Sequence, residues 1–319
     1  MNVRRLISGT AIAAATALGL GALSACSSDS SASDRNITGQ LDVVASFYPM
    51  QFLAEQIGGR HVSISTLTEP GQEPHDLEIS AKQTVDLQKA DAVLYLKGLQ
   101  PAVDEAVAQS GAKTKIDAAT LTKLEDHGST EHSHEGEEAH SDEEASALDP
   151  HVWLDPVKYA EIADGVSAAF QKADPTNAAE YKLNTERLTA KLTSLNTSFE
   201  DGLKNTASKV FFTNHAAFGY LAERYGLTQE AITGVDPDSE PSAARMKELQ
   251  QEAKADGVTT VFYETLVSDK TAKTLAADAN LRTDVLDPLE GITEKSRGDD
   301  YIAVMEANLK ALRTALGAK

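Results

Sequence analysis

Short β-branched runs alternate with amphipathic helical stretches from Leu41 onward. The strands predicted in the first half are Asp42–Phe47, His61–Leu67, Asp91–Leu96 and Thr114–Asp117. The helices predicted between them are Pro49–Ile57, Ser80–Gln88 and Gln100–Gln109. Strands that alternate with helices are typical of a parallel sheet covered by helices. The pattern therefore predicts an N-terminal α/β lobe over residues 41–173.

A mainly helical region follows, from Pro156 to Asn205. Its second part, 176–205, has no proline and no glycine before Gly202, and Asp174-Pro175 suits a helix start. Apolar residues recur there at Leu183, Leu188, Leu192, Leu195 and Phe199. About 30 helical residues would span about 45 Å. The sequence thus predicts a long linking helix within residues 174–205.

The alternation of strands and helices then resumes and predicts a C-terminal α/β lobe over residues 206–319. Its predicted strands are Lys209–Thr213, Glu230–Val235, Thr259–Glu264 and Arg282–Leu286. Its predicted helices are Ala216–Tyr225, Ser242–Ala255, Asp269–Ala279 and Asp299–Leu316. Ligands of open α/β sheets bind beyond the carboxyl ends of the strands, and clefts between domains are common pockets. The fold class predicted is α/β, with two lobes built on central, mainly parallel sheets and a binding cleft between them.

The first 25 residues differ from the rest. Arg4 and Arg5 precede the apolar run Leu6–Ala22, which is typical of a secretory signal peptide. The next four residues, Leu23–Cys26, resemble the bacterial lipobox, in which the cysteine is lipidated. The polar stretch that follows predicts a flexible tether over residues 26–40. The alternative is a secreted protein with an accidental cysteine.

Composition narrows the function classes. The formal net charge of −20 argues against nucleic-acid binding, because neutralising phosphates requires clustered Lys and Arg. Cys26 is the chain's one cysteine, so an internal disulfide is excluded. A diacylated Cys26 would hold the domain stably at a membrane surface.

Residues 125–144 read EDHGSTEHSHEGEEAHSDEE and carry four of the chain's eight histidines and nine carboxylates. No apolar periodicity is present, so we expect an exposed loop over residues 125–146. Imidazoles and carboxylates on such a loop can form weak, adaptable metal sites. The candidate ligands are His127, His132, His134 and His140. The alternative is a solvated acidic linker.

Three further histidines lie in loops where binding residues gather: His75, His151 and His215. Each taken alone is more often structural than functional. Three of them divided between two lobes favour a shared site in the cleft. Three imidazoles and one oxygen make a good tetrahedral zinc site. Asp287, just past the last predicted strand, is the first candidate for the oxygen, and Glu73 and Glu264 are weaker candidates.

Several of these segments together resemble one known family. They are Val43–Pro49, Pro74–Asp76, Ala90–Val93, His151–Pro156, Asn214–Tyr220 and Ser239–Ser242. The chain resembles the metal-binding lipoproteins of zinc/manganese ABC importers, the ZnuA/TroA-type solute-binding proteins of cluster A-I. The resemblance implies two lobes joined by one long rigid helix. It also implies a metal between the lobes, at His75, His151, His215 and Asp287.

The resemblance also implies the cargo and the partners. Manganese-type members usually have glutamate where this chain has His215, so the chain is most like the zinc-type members. The acidic histidine run is similar to the His-rich loop of zinc-type members, which implies zinc capture or sensing. The expected protein is a monomer, lipid-anchored outside the cytoplasm. It would deliver Zn²⁺ to an ABC permease driven by a cytoplasmic ATPase.

Two other readings remain open at this level. One is a zinc-dependent hydrolase, since three protein ligands with an open fourth position can activate water. Glu73 is its candidate base. The other is a manganese-binding protein or a surface adhesin of the same fold. A metal held by four protein ligands would argue against the hydrolase.

Overall fold

Two parallel sheets organise the residues that the computed structural model describes, which are 39–127 and 148–319. The N-terminal sheet consists of β1 (Leu41–Ala45), β2 (Val62–Thr66), β3 (Ala92–Tyr95) and β4 (Thr114–Asp117). The C-terminal sheet consists of β5 (Val210–Thr213), β6 (Thr228–Ala231), β7 (Thr260–Tyr263) and β8 (Arg282–Val285). The strand orders are β2-β1-β3-β4 and β6-β5-β7-β8, so the two sheets have the same topology. The predicted two-lobed α/β fold is confirmed.

Helices connect successive strands within each sheet. In the N-terminal half they are α1 (Tyr48–Gly58), α2 (Ala81–Lys89) and α3 (Pro101–Gln109). The middle of the chain forms α4 (Pro156–Ala173) and α5 (Ala178–Leu203). The C-terminal half contains α6 (Gly219–Tyr225), α7 (Ala243–Ala255), α8 (Lys270–Ala279) and α9 (Tyr301–Ala315). Short 3₁₀ turns lie at Gly59–His61, Ala118–Thr120, Val152–Leu154 and Pro175–Asn177.

The central strands are apolar because helices cover both faces of each sheet. In β1, Val43 pairs with Ile64 of β2 on one side and with Ala92 of β3 on the other. Both Val43 and Ala92 are buried. A strand buried on both faces reads as a continuous apolar run, as residues 43–45 of β1 and 92–94 of β3 do here.

The helix α5 is the long helix between the two sheets along the chain. It has 26 residues, which corresponds to about 39 Å at 1.5 Å per residue. The 3₁₀ turn at Pro175–Asn177 precedes it, so the regular helix begins slightly later than the sequence pattern suggested. Leu188, Leu192 and Phe199 are buried along one face as predicted, whereas Leu183 is exposed.

The strand predicted over Glu230–Val235 is displaced. The observed strand β6 begins at Thr228 and ends at Ala231. Gly226 adopts the left-handed conformation that ends α6, and this conformation costs glycine little because it has no Cβ. The chain therefore enters β6 earlier than predicted, and Thr228 already pairs with Val210 of β5.

Aromatic packing joins the segments that follow the two sheets. The ring of Trp153 lies 5.0 Å from that of Phe47, and its indole N–H donates to the carbonyl of Pro288 over 2.7 Å. The hydroxyl of Tyr301 donates to the carbonyl of Trp153 over 2.6 Å. Trp153 is fully buried. These contacts fix the segment around residue 151 against the segment around residue 288. Among the described helices, none is both long and apolar enough to cross a membrane.

Candidate metal centre

His75 lies in the loop that follows β2. Its backbone N–H donates to Oε1 of Glu73 over 2.8 Å, and the N–H of Leu77 donates to the carbonyl of Pro74 over 3.3 Å. Both bonds tighten the turn around Pro74, whose ring also fixes its own φ. The loop therefore holds the His75 ring at the buried centre rather than in solvent.

His151 lies just before the 3₁₀ turn Val152–Leu154 and is fully buried. Oδ1 of Asp149 accepts from its backbone N–H over 2.9 Å and lies 2.8 Å from its ring Nδ1. A carboxylate on Nδ1 requires a proton there, because a carboxylate can only accept. The other nitrogen, Nε2, then keeps its lone pair for a metal.

His215 follows β5 and has the same kind of carboxylate partner. Its Nδ1 lies 2.7 Å from Oε1 of Glu264, which follows β7. The hydroxyl of Thr213 donates to the carbonyl of His215 over 2.8 Å and holds the backbone. Carboxylate–histidine pairs of this kind orient metal ligands and make them more basic.

Glu290 completes the cluster and comes from the loop after β8. Its Oε1 lies 3.2 Å from Nε2 of His75, 3.2 Å from Nε2 of His151 and 3.4 Å from Nε2 of His215. One ligand atom from each of the four side chains lies within 4.8 Å of the other three. Within the described part of the chain, this is the group whose spacing would hold a metal ion.

Asp287, the fourth ligand expected from the sequence, does not lie in the cluster. Its Oδ1 accepts from the N–H of Leu289 over 2.9 Å. Its Oδ2 accepts from the hydroxyls of Thr265 and Ser296, over 3.2 Å and 3.0 Å. Asp287 thus shapes the loop that presents Glu290, and it is not one of the four clustered side chains.

The two weaker candidates also lie beside the centre rather than in it. Glu264 orients His215, and Glu73 holds the backbone of His75. Burial, with a contribution from the charge of Glu290, raises the pKa of Glu73 to about 8. A signal for the fourth clustered side chain was present in Asp287-Pro288-Leu289-Glu290, where a second carboxylate follows the strand.

The charges of the cluster are strongly coupled. Burial alone would raise the pKa of Glu290, but the nearby His215, His151 and His75 hold it well below its usual range. Burial alone would lower the pKa of His215, but Glu264 and Glu290 raise it well above its usual value. In the same way, Asp149 and Glu290 outweigh burial and raise the pKa of His151. The carboxylates of the centre therefore favour the protonated forms of His151 and His215 when no metal is bound.

Two buried atoms at the centre have no hydrogen-bond partner among the described residues. They are Nε2 of His215 and Oε2 of Glu290. Leaving a buried polar group unsatisfied costs about 1–3 kcal/mol, more when it is charged. A cation bound by the four side chains would satisfy both atoms. Three imidazole nitrogens and a carboxylate oxygen are also a donor set that suits Zn²⁺ in tetrahedral geometry.

The remaining residues predicted to bind metal or lipid are not among the four clustered side chains. His127 lies apart from the cluster, with its Nδ1 2.8 Å from Oδ2 of Asp149 and its Nε2 2.9 Å from Oε2 of Glu223. Cys26 and the remaining loop histidines, His132, His134 and His140, lie outside the described residues. Their expected roles stay predictions.

Comparison with known proteins identifies the family of the chain. The model of a family described as "Zinc-uptake complex component A periplasmic" matches residues 43–315. The chain belongs to the ZnuA family. The family description is that of a component of an uptake complex outside the cytoplasm, and it names no enzyme activity.

Two curated relatives of this ZnuA-family protein differ in length. The zinc-binding lipoprotein AdcA of Streptococcus pneumoniae is 36% identical over 285 residues, covering 86% of this chain and 56% of AdcA. The chain thus spans about half the length of that relative. The high-affinity zinc uptake system protein ZnuA of Bacillus subtilis is 35% identical over 304 residues, covering 93% of this chain and 94% of that protein.

A solved structure shares the fold. The Zn(II)-bound ZnuA-like domain of Streptococcus pneumoniae AdcA superimposes with a TM-score of 0.72 at 34% identity, covering 87% of this chain and 99% of that domain. The resemblance stated from the sequence is confirmed.

Proposed function

We propose that this ZnuA-family protein captures Zn²⁺ outside the cytoplasm and delivers it to the permease of an ABC importer. The ion would be held by His75, His151, His215 and Glu290. The observation that carries the proposal is the buried convergence of these four side chains, with ligand atoms within 4.8 Å of one another. The names of the relatives from Streptococcus pneumoniae and Bacillus subtilis, both of which mention zinc, support the choice of cargo.

The donor set favours zinc over manganese. Imidazole suits Zn²⁺, whereas manganese prefers oxygen donors such as carboxylates and water. Two of the imidazoles, His151 and His215, also have carboxylate partners on their Nδ1 atoms. Such partners hold the ring in place and raise its basicity toward the ion.

Binding and release, rather than hydrolysis, fits this site. A zinc hydrolase uses three protein ligands and keeps the fourth position for water. Here Glu290 is near all three histidines and would fill that position. Of the candidate base Glu73, one oxygen already accepts from the backbone of His75. We therefore propose that the protein has no enzyme activity.

The remaining features of the chain fit transport at a membrane. We propose a signal peptide over residues 1–25, a lipid anchor at Cys26 and a tether over residues 26–40. The word lipoprotein in the name of the Streptococcus pneumoniae relative supports the anchor. The lobes would cover residues 41–173 and 206–319, with the linking helix within 174–205 and the protein working as a monomer. The loop over 125–146 would bind further zinc ions more weakly.

Competition of a chelator with the purified protein for Zn²⁺ and Mn²⁺ tests the proposal. Native mass spectrometry would count the ions on the wild type, on His215→Ala and on a variant lacking residues 128–146. We expect one tight Zn²⁺ in the wild type and in the deletion variant, and its loss in His215→Ala. His61→Ala, which removes a histidine paired with Glu180 on the surface, is the matched control.

Two outcomes would overturn parts of the proposal. Tight binding that survives His215→Ala would exclude the cleft as the site. A preference for Mn²⁺ over Zn²⁺ would exclude zinc as the cargo.

A further inference from the structure

His127 is built into the fold rather than left free at the start of the acidic loop. Both of its ring nitrogens have carboxylate partners, Oδ2 of Asp149 at 2.8 Å and Oε2 of Glu223 at 2.9 Å. Its ring also packs edge-on against Tyr220, with 4.3 Å between the ring centroids. A histidine engaged on both nitrogens would have to break these contacts before it could bind a loop metal.

The side chain of His127 packs closely against the start of α6. A Cβ atom placed on Gly219 would lie 2.6 Å from Cβ of His127 and 2.7 Å from Oδ2 of Asp149. Glycine is therefore required at position 219 for the ring and the carboxylate to approach the start of α6. The hydroxyl of Tyr220 accepts from the N–H of Glu125 and donates to the carbonyl of Asp149, both over 2.8 Å. The two chain segments that flank the acidic loop are thus fastened together at α6.

Asp149 connects His127 to the metal centre. Its Oδ2 faces His127, while its Oδ1 accepts from the backbone of His151 and faces that ring at Nδ1. Asp149 is buried, and its carboxylate is held from both sides by imidazole N–H groups.

Through Asp149, His127 can influence the orientation of His151, which it does not itself contact. If Asp149 keeps its orientation, the proton of His151 stays on Nδ1, and Nε2, which faces Glu290 at the centre, is the nitrogen that would give up its proton to bind a metal. If the bond to His127 is removed, Oδ2 loses its ring donor and the carboxylate can turn away from His151. Outer groups that orient a metal-bound histidine contribute measurably to metal affinity.

We propose that His127 is a positioning residue of the metal centre, which acts through Asp149 to fix the orientation and tautomer of His151. The inference rests on the zinc-binding function proposed above. His127 then supports the cleft through Asp149 and is not a ligand on the accessory loop.

The first test compares the Zn²⁺ affinity of the wild type and His127→Ala by chelator competition. We expect affinity to fall about three- to tenfold, less than the roughly 10- to 100-fold typical of a group that touches the ligand directly. His61→Ala is the control, because His61 likewise faces a carboxylate, Glu180 at 2.7 Å, and packs edge-on against a tyrosine, Tyr181. Equal affinity in wild type and His127→Ala would overturn the proposal.

Conservative variants separate positioning from general stability. The amide of His127→Asn can donate to Asp149 from near the Nδ1 position, so this variant should recover most of the lost affinity. The amide of His127→Gln lies nearer the Nε2 position and Glu223, so this variant should recover little. Recovery by glutamine and not by asparagine would contradict a role through Asp149.

A double-mutant cycle tests the route. If His127 acts through Asp149, then His127→Ala should cost no further affinity once Asp149→Asn is present, because the two effects are not additive. Additive effects would overturn the proposal. The loss caused by His127→Ala should also persist in the variant lacking residues 128–146. Its disappearance there would assign His127 to the loop as a metal ligand.

A measurement without metal keeps this inference distinct from the proposed function. Nitrogen-15 NMR of the imidazoles at alkaline pH should show His151 protonated at Nδ1 in the metal-free wild type and a mixture of tautomers in His127→Ala. If the wild type binds no Zn²⁺ tightly, the zinc function fails while this reading stands. If the tautomer of His151 is the same in both proteins, the positioning role fails while the zinc function stands.

Discussion

Two carboxylates three residues apart, Asp287 and Glu290, have different tasks because of the backbone between them. Leu289 has φ +62°, a left-handed conformation that is rare for a residue with a branched side chain. Oδ1 of Asp287 accepts from the N–H of Leu289 and supports that conformation. The turn directs Glu290 to the three histidines and leaves Asp287 to stabilise the loop.

Glu290→Gln should therefore weaken Zn²⁺ binding by about 100-fold or more, because it removes the negative charge from one of the four proposed ligands. Such a loss should exceed that of an outer partner, about 10- to 100-fold. Asp287→Asn should change the affinity less than about tenfold, while losing about 1–2 kcal/mol of stability from the bonds to Thr265 and Ser296. Chelator competition and thermal unfolding measure the two effects. The reverse order of affinities would restore Asp287 as the ligand.

Three of the four clustered side chains could be predicted from the sequence, but the fourth, Glu290, could not. His75, His151 and His215 stand out because each lies in a loop next to a strand or helix. Choosing between Asp287 and Glu290 requires knowing that a leucine takes positive φ. Propensity predicts the opposite for leucine, and only tertiary contacts stabilise that conformation.

The contribution of His127 to the stability of the fold should depend on pH. Burial would lower its pKa, but the bonds to Asp149 and Glu223 outweigh burial and raise it. A raised folded-state pKa means that the stabilisation is complete below the unfolded value of about 6.5 and is lost as pH rises through the folded pKa. The other charged or titratable side chains facing this region are Glu125, Lys158 and Tyr220.

The difference in Tm between metal-free wild type and His127→Ala should therefore be largest at mildly acidic pH and shrink as the pH becomes alkaline. Thermal unfolding followed by circular dichroism across this range measures it. The difference between His127→Asn and His127→Ala should stay flat, because asparagine does not titrate. A wild-type advantage that grows with pH would contradict the assigned sign.

At the scale of elements, one aspartate both starts a helix and joins the halves of the chain. Oδ1 of Asp155 accepts from the N–H of Val157 and caps α4. Oδ2 of Asp155 accepts from two nitrogens of Arg224 on α6, over 2.8 Å and 2.5 Å. Asp155 is buried, whereas the side chain of Arg224 is 33% exposed.

Arg224→Ala should leave the buried charge of Asp155 without its cation. Breaking a fully buried pair costs about 3–5 kcal/mol, and the partial exposure of Arg224 reduces this to about 2 kcal/mol. The expected fall in Tm is about 5 °C for a domain of this size. Lys273→Ala removes an exposed cation paired with Asp269 and should change Tm little. Equal effects of the two substitutions on Tm would show that the Asp155–Arg224 pair stabilises the fold no more than an exposed ion pair does.

Most elements could be predicted from periodicity, and the exceptions have local causes. The start of β6 depends on the left-handed turn at Gly226, which the apolar pattern does not reveal. The exposure of Leu183 follows from the helical face defined by Tyr181, Leu188 and Leu192, from which it is displaced. Apolar residues at roughly helical spacing are thus not all on the buried face.

At the scale of the whole molecule, the two halves repeat one strand order without an evident repeat in sequence. The clustered side chains come from segments that follow strands of both sheets, with His75 after β2, His215 after β5 and Glu290 after β8. The centre therefore exists only when the two sheets are packed together. The hydrogen bond from Trp153 to Pro288, only two residues from Glu290, is part of that packing.

Trp153 should report on this centre alone. It is the one tryptophan of the chain, and its ring lies 5.2 Å from that of His151. Because Zn²⁺ would replace protons on the neighbouring imidazole, the tryptophan fluorescence should change on binding. We expect that change to saturate at one equivalent of Zn²⁺, while native mass spectrometry of the full chain counts further ions. The variant lacking residues 128–146 should keep the fluorescence change and lose the further ions. If the fluorescence of the full chain kept changing beyond one equivalent and that of the deletion variant did not, zinc on the loop and zinc in the cleft would not be independent.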